Sequence, residues 1–162
     1  MKTLLLIRHA HAESAHYGMN DFDRSLSIRG KQEAQNTAEK LLHRNIAVDG
    51  WICSSSSRTL QTTKILHNHI NPEIKNLRCM DGLYQASSMQ LSAQVIQLPN
   101  EWSTAAIIAH NPGITEFANK LSDNFHIDDM PTAGVVAVCS EAEQWLDFLS
   151  KPIRFLFFVQ PN

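Results

Sequence analysis

Two short aliphatic runs dominate the hydropathy pattern of the chain. Leu4 to Ile7 and Ala105 to Ala109 are continuous rather than alternating, as expected for strands covered on both faces of a parallel sheet. Each run ends on a histidine. The first passes into Arg8-His9-Ala10, the second into His110-Asn111-Pro112-Gly113. Between and after them, strand and helix signals alternate. Ser27 is placed to cap a helix running from Ile28 to Leu42, whose stripe of Ala34, Ala38, Leu41 and Leu42 has helical spacing. Val48 to Cys53 reads as a second strand, Ser54 to Ser57 as a polar turn, and Arg58 opens a helix that Asn71-Pro72 stops. Residues 73 to 87 carry little pattern. A helix is predicted from Met89 to Leu98 before Pro99-Asn100, and another over Thr115 to Leu121, with Pro112 near its first turn. Gly134 to Cys139 and Arg154 to Val159 read as late strands forming an edge or a hairpin-like pair. The alternation predicts a three-layer α/β/α sandwich with a mostly parallel central sheet. With no repeat, linker or composition shift, residues 1–162 are expected to form one domain.

Composition narrows the class without naming a function. The hydrophobic share of 43% and charged share of 19% over 162 residues are those of an ordinary globular chain with a sizeable core. A net charge of −2 argues against a general nucleic-acid binder while leaving room for a local positive pocket. Arg8 and His9 cut the first apolar run well short of a secretory h-region, and no apolar stretch reaches membrane-spanning length. Cys53, Cys79 and Cys139 are odd in number and lack C-x-x-C spacing, which suits a reducing cytoplasm, with Cys53 and Cys139 read as small buried hydrophobes.

The chemistry gathers at the strand ends, where open α/β sheets bind ligands. Arginine's planar fork suits a phosphate or carboxylate, and a neutral histidine offers a lone pair that can attack phosphorus. Taken singly, Arg8 reads as a surface charge and His9 as a core histidine; their company is what makes them a candidate site. Arg58 adds a third element, because it sits in the first turn of a helix after a strand, where free backbone N–H groups favour an anion and a cation is unfavourable for the helix dipole. Arg24, beside Asp21 and Asp23, is placed either to swing over the strand ends or to remain a solvated loop charge. His9-Ala10-His11 has the alternate spacing of a metal pair, but two nearby arginines would repel a cation, so no metal is expected. His67-Asn68-His69 reads as surface.

Six segments in order resemble the histidine phosphatase superfamily, with its phosphoglycerate-mutase-like fold, and within it the short SixA-type branch of phosphohistidine phosphatases. They are Arg8-His9-Ala10, Asp21 to Gly30, Ser54 to Thr62, Leu83 to Ser87, His110 to Gly113 and Met130 to Gly134. The resemblance implies that His9 is the nucleophile and forms a phosphohistidine intermediate. It implies that Arg8 and Arg58 clamp the phosphoryl oxygens, that His110 donates a hydrogen bond to the transferring group, and that Arg24 is a further substrate contact. It implies no cofactor and no metal. The expected substrate is a phosphorylated protein carrying phosphohistidine. A small phosphorylated molecule hydrolysed by the same fold is the first alternative, and a phosphate-binding module without turnover the second. One departure bears on that choice. Gln85 stands where larger members carry a general-acid glutamate, and an amide gives up no useful proton. Either Asp81 serves instead or the leaving group needs little acid help, as an imidazole does.

Overall fold

The computed structural model describes residues 1–73 and 75–162. Among the described residues six strands form one mixed sheet in the order β3-β2-β4-β1-β5-β6. The strands are β1 (Lys2–Arg8), β2 (Gly50–Ser54), β3 (Leu77–Met80), β4 (Thr104–Ala109), β5 (Val135–Ser140) and β6 (Ile153–Val159). The helices are α1 (Ile28–His43), α2 (Ser57–Ile70), α3 (Ser88–Val95) and α4 (Gly113–Leu121). The β1–β4, β4–β2 and β2–β3 pairings are parallel. The β1–β5 and β5–β6 pairings are antiparallel, so the two late strands do close one edge as a hairpin-like pair.

The two aliphatic runs lie side by side at the centre, with Leu4 opposite Ala105 and Arg8 opposite Ala109. Successive side chains on a strand face opposite sides, and this sorts the core. Leu4, Leu6, Ala105 and Ile107 pack with Leu91, Val95, Ile114, Phe117 and Trp145 on the α3–α4 side. Leu5, Ile7, Ala106 and Ile108 pack with Ala38, Leu41 and Leu66 on the α1–α2 side. Both faces are dry, which is why the runs do not alternate.

Several element ends move from their predicted positions. Strand β2 runs Gly50–Ser54 rather than 48–53, and α4 begins at Gly113 rather than Thr115. Helix α3 starts one residue early because Ser87 and Gln90 form a capping box, and it ends at Val95 rather than Leu98. The Ser27 cap is present: its Oγ accepts from the Gly30 amide at 3.0 Å. Strand β3 lies in the stretch that carried little pattern. It is an edge strand with exposed Arg78 and Cys79, so it has no apolar run to announce it. Its register places Cys79 opposite the buried Cys53, with the sulfurs 3.5 Å apart. His67 is half-buried and edge-on to Trp51, not a surface residue as predicted. No helix among the described residues is long and apolar enough to cross a membrane.

Candidate active site

At the carboxyl ends of β1, β2 and β4 the chain opens into a cleft of about 430 Å³. Arg8 and His9 come from the end of β1, His110 from the end of β4 and Arg58 from the first turn of α2; Asp21, Gln85, Asn111 and Pro112 complete the lining. The structure therefore brings His9, Arg8, Arg58 and His110 together.

The backbone holds His9 in one orientation. Its amide donates to the Ala109 carbonyl at 3.2 Å, tying the turn after β1 to β4. Its ring Nδ1 lies 2.8 Å from the Ala10 carbonyl. A carbonyl only accepts, so Nδ1 carries the proton and the lone pair is on Nε2. Arg58 Nε donates to that lone pair at 3.3 Å. The His9 and His110 rings stand 5.1 Å apart, centroid to centroid. Thr62 joins the two halves of the site, accepting from the Ala10 amide at 3.0 Å and donating to the Arg58 carbonyl at 2.8 Å.

His110 is buried, with Nε2 2.9 Å from the Ser54 hydroxyl and Nδ1 3.4 Å from Arg58 Nη2. A guanidinium only donates, so in this arrangement Nδ1 accepts and Nε2–H donates to Ser54. Burial is the main force lowering the His9 pKa to about 4, with the Arg58, Arg8 and Arg24 charges adding to it and the Ala10 hydrogen bond opposing. Burial also dominates at His110, lowering its pKa to about 3 with help from His9 and Arg58. Both rings are neutral at neutral pH. The cleft is thus cationic through its arginines and nucleophilic through its histidines.

The arginines differ in how they are held. Arg8 Nη1 donates to the Met130 carbonyl at 2.6 Å and lies 3.4 Å from Asp129. Its Nε is buried without a hydrogen-bond partner among the described residues, a donor that an anion would satisfy. Arg58 is buried and meets Asp21 twice, through the carboxylate at 2.9 Å and the backbone carbonyl at 2.7 Å. Arg24 is not part of the cleft lining; it sits behind Asp21, donating to that carboxylate at 2.9 Å and to the Glu13 carbonyl at 2.8 Å.

Sequence reasoning did not single out Tyr84. Its hydroxyl donates to Asp21 at 2.5 Å, and its ring stands edge-on to His110 at 5.3 Å. Its neighbour Gln85 reaches the cleft from a left-handed backbone conformation, φ 51°. The close approach that seats this turn depends on Gly113, where a Cβ would come within 1.9 Å of the Ala86 carbonyl. Asp81 is outside the lining and accepts instead from the Ser55 hydroxyl. His11 Nδ1 bonds to Ser27 Oγ at 2.7 Å, at the head of α1, while His9 faces Arg58. Among the described residues no three His, Cys, Asp or Glu side chains are grouped to hold a metal ion.

Residues 4–114 match the family model of the histidine phosphatase superfamily, branch 1, and the chain belongs to that superfamily. The uncharacterized protein Rv1276c of Mycobacterium tuberculosis is 30% identical over 148 residues, covering 85% of this chain and 89% of that protein. A proposed phosphohistidine phosphatase SixA from Agrobacterium tumefaciens superposes with a TM-score of 0.84 at 25% identity, covering 99% of this chain and 98% of that one. The fold is also shared with the protein histidine phosphatase SixA complexed with tungstate, at a TM-score of 0.82 and 19% identity over 98% of this chain and 97% of that one.

Proposed function

We propose that the chain is a metal-independent phosphatase that passes a phosphoryl group through His9, with protein phosphohistidine as its substrate. The observation that carries this reading is the state of His9. Its Nδ1 proton is committed to Ala10, its pKa is depressed to about 4, and its unprotonated Nε2 accepts a hydrogen bond from Arg58 at 3.3 Å, a donor that an incoming phosphoryl oxygen can take over. An anion drawn to the arginines meets an unprotonated nitrogen. Nε2 forms a bond to phosphorus as the bond from phosphorus to the substrate nitrogen breaks, and the leaving nitrogen keeps that electron pair. Water then attacks the phosphorus, the pair of the N–P bond returns to Nε2, and phosphate leaves with the oxygen and protons of the water. Arg8 and Arg58 stabilise the equatorial oxygens in both steps, the main task in phosphoryl transfer. His110 donates to the transferring group in its other neutral tautomer, in which Nδ1 carries the proton and Nε2 accepts a hydrogen bond from the Ser54 hydroxyl. Arg24 acts here through Asp21 rather than on the substrate.

The substrate class is supported by what the cleft offers as acid. Among its lining residues Asp21 is the only carboxylate, and its pKa is held well below the usual carboxylate range, first by the Tyr84 hydrogen bond and then by Arg24 and Arg58. Gln85 cannot replace it. An alkoxide leaving group would go unassisted, whereas a substrate imidazole protonated on its other nitrogen departs as a neutral ring. The test is phosphate release from a histidine-phosphorylated carrier protein, sugar phosphates and an aryl phosphate, using wild type and His9→Ala with and without a chelator. The expected result is fastest release from the phosphoprotein, unaffected by chelation, with acid-labile label trapped on His9 and none in the variant. Full activity of His9→Ala overturns the mechanism, and preference for sugar phosphates overturns the substrate class.

A further inference from the structure

A guanidinium has two edges able to bind in bidentate fashion, and in Arg58 they face different partners. The end edge belongs to Asp21: Nη1 donates to its backbone carbonyl at 2.7 Å and Nη2 to its carboxylate at 2.9 Å. The side edge faces the histidines, with Nε 3.3 Å from His9 Nε2 and Nη2 3.4 Å from His110 Nδ1. The holder is itself held. Asp21 opens a short turn, Asp21–Asp23, capped by Asn20. Its second oxygen accepts from Arg24 at 2.9 Å, Tyr84 adds a hydrogen bond at 2.5 Å, and the Phe22 ring lies edge-on to Tyr84 at 5.1 Å.

We propose that Asp21 is a positioning residue, which acts through Arg58 by fixing the end edge of its guanidinium so that the side edge is aimed at the phosphoryl group on His9. This rests on the phosphatase reading given above. Arginine has several rotatable bonds, and a fork preset by a carboxylate loses less freedom when the transition state forms. The carboxylate does not serve as a proton donor, because its three charge-assisted or hydroxyl hydrogen bonds keep it ionised. It also places a negative charge beside the anion site. Its charge therefore opposes the binding of ground-state phosphate, and what it contributes favourably comes through the orientation of Arg58.

That separation is measurable. Asp21→Ala and Asp21→Asn are compared with wild type for kcat and KM on the phosphohistidine protein, inhibition by inorganic phosphate, and the ¹⁵N resonance of Arg58 Nε–H. In Asp21→Ala, kcat is expected to fall about tenfold or more, while phosphate inhibition is unchanged or tighter and the Arg58 signal broadens through exchange. Asp21→Asn keeps one acceptor oxygen and is expected to recover part of kcat. A kcat within twofold of wild type overturns the proposal, and so does a loss of phosphate binding in step with kcat. If wild type releases no phosphate from any probe, the phosphatase reading has failed, and the Arg58 resonance alone decides the role of Asp21: sharp in both variants, it refutes the positioning.

Discussion

Protonation of His9 is the most exacting consequence of the site. An ordinary histidine titrates near 6.5, while His9 is lowered to about 4, chiefly by burial and then by the Arg58, Arg8 and Arg24 charges. At about pH 5.5 an imidazole with the ordinary midpoint is only ~10% neutral, whereas one with a midpoint near 4 is ~97% neutral. The reactive fraction of the nucleophile thus differs roughly tenfold between the two cases. The sign is definite: the neutral form predominates above the lowered midpoint, so acidification from neutrality costs little until pH approaches 4. The assay is a ¹H–¹⁵N titration of the His9 ring in the free protein, which avoids the ionisation of the substrate's own phosphate. Arg58→Gln removes the largest of the charge contributions and should move the midpoint upward, though short of 6.5 because burial remains. A wild-type midpoint near 6.5 would falsify the account of how the nucleophile is kept free.

Two further perturbations probe the frame around the histidines. Ser54→Ala removes the hydroxyl 2.9 Å from the buried His110 Nε2 and is expected to cost about 1–3 kcal/mol in a urea melt, the penalty of an unsatisfied buried donor, with a fall in kcat. Gly113→Ala drives a Cβ toward the Ala86 carbonyl at 1.9 Å and should cost about 1–3 kcal/mol through overpacking. Gly82→Ala, with nothing within 4 Å of the new atom, is the matched control and should melt near wild type.

What could be read beforehand depended on local pattern. The runs ending at Ile7 and Ala109 are buried on both faces, so their unbroken apolar pattern announced central strands and put Arg8, His9 and His110 at their ends. Arg58 was legible because a strand, a serine turn and a helix follow one another directly. Strand β3 was not, since an edge strand with exposed polar positions has no hydrophobic signature. The link from Asp21 to Arg58 and Tyr84 was hidden for another reason: it spans 37 and 63 residues of chain and exists only in three dimensions. A tyrosine next to Gln85 was the sole signal of that contact, and nothing in its spacing marks it.

The adjacency of β1 and β4 carries a consequence for how such a site can change. Arg8 pairs with Ala109 in the last rung of that parallel ladder, and each histidine is the residue that follows it. Hydrogen-bonded strands run roughly 4.8 Å apart, and the His9 amide bonded to the Ala109 carbonyl carries that backbone spacing one residue past the ladder. The starting points of the two side chains are therefore set by the sheet, while the 5.1 Å between their rings also depends on what holds each ring, Ala10 for His9 and Ser54 with Arg58 for His110. Insertions in the surrounding loops can recast which molecules enter the cleft, while the backbone positions that carry the two imidazoles stay where the sheet puts them.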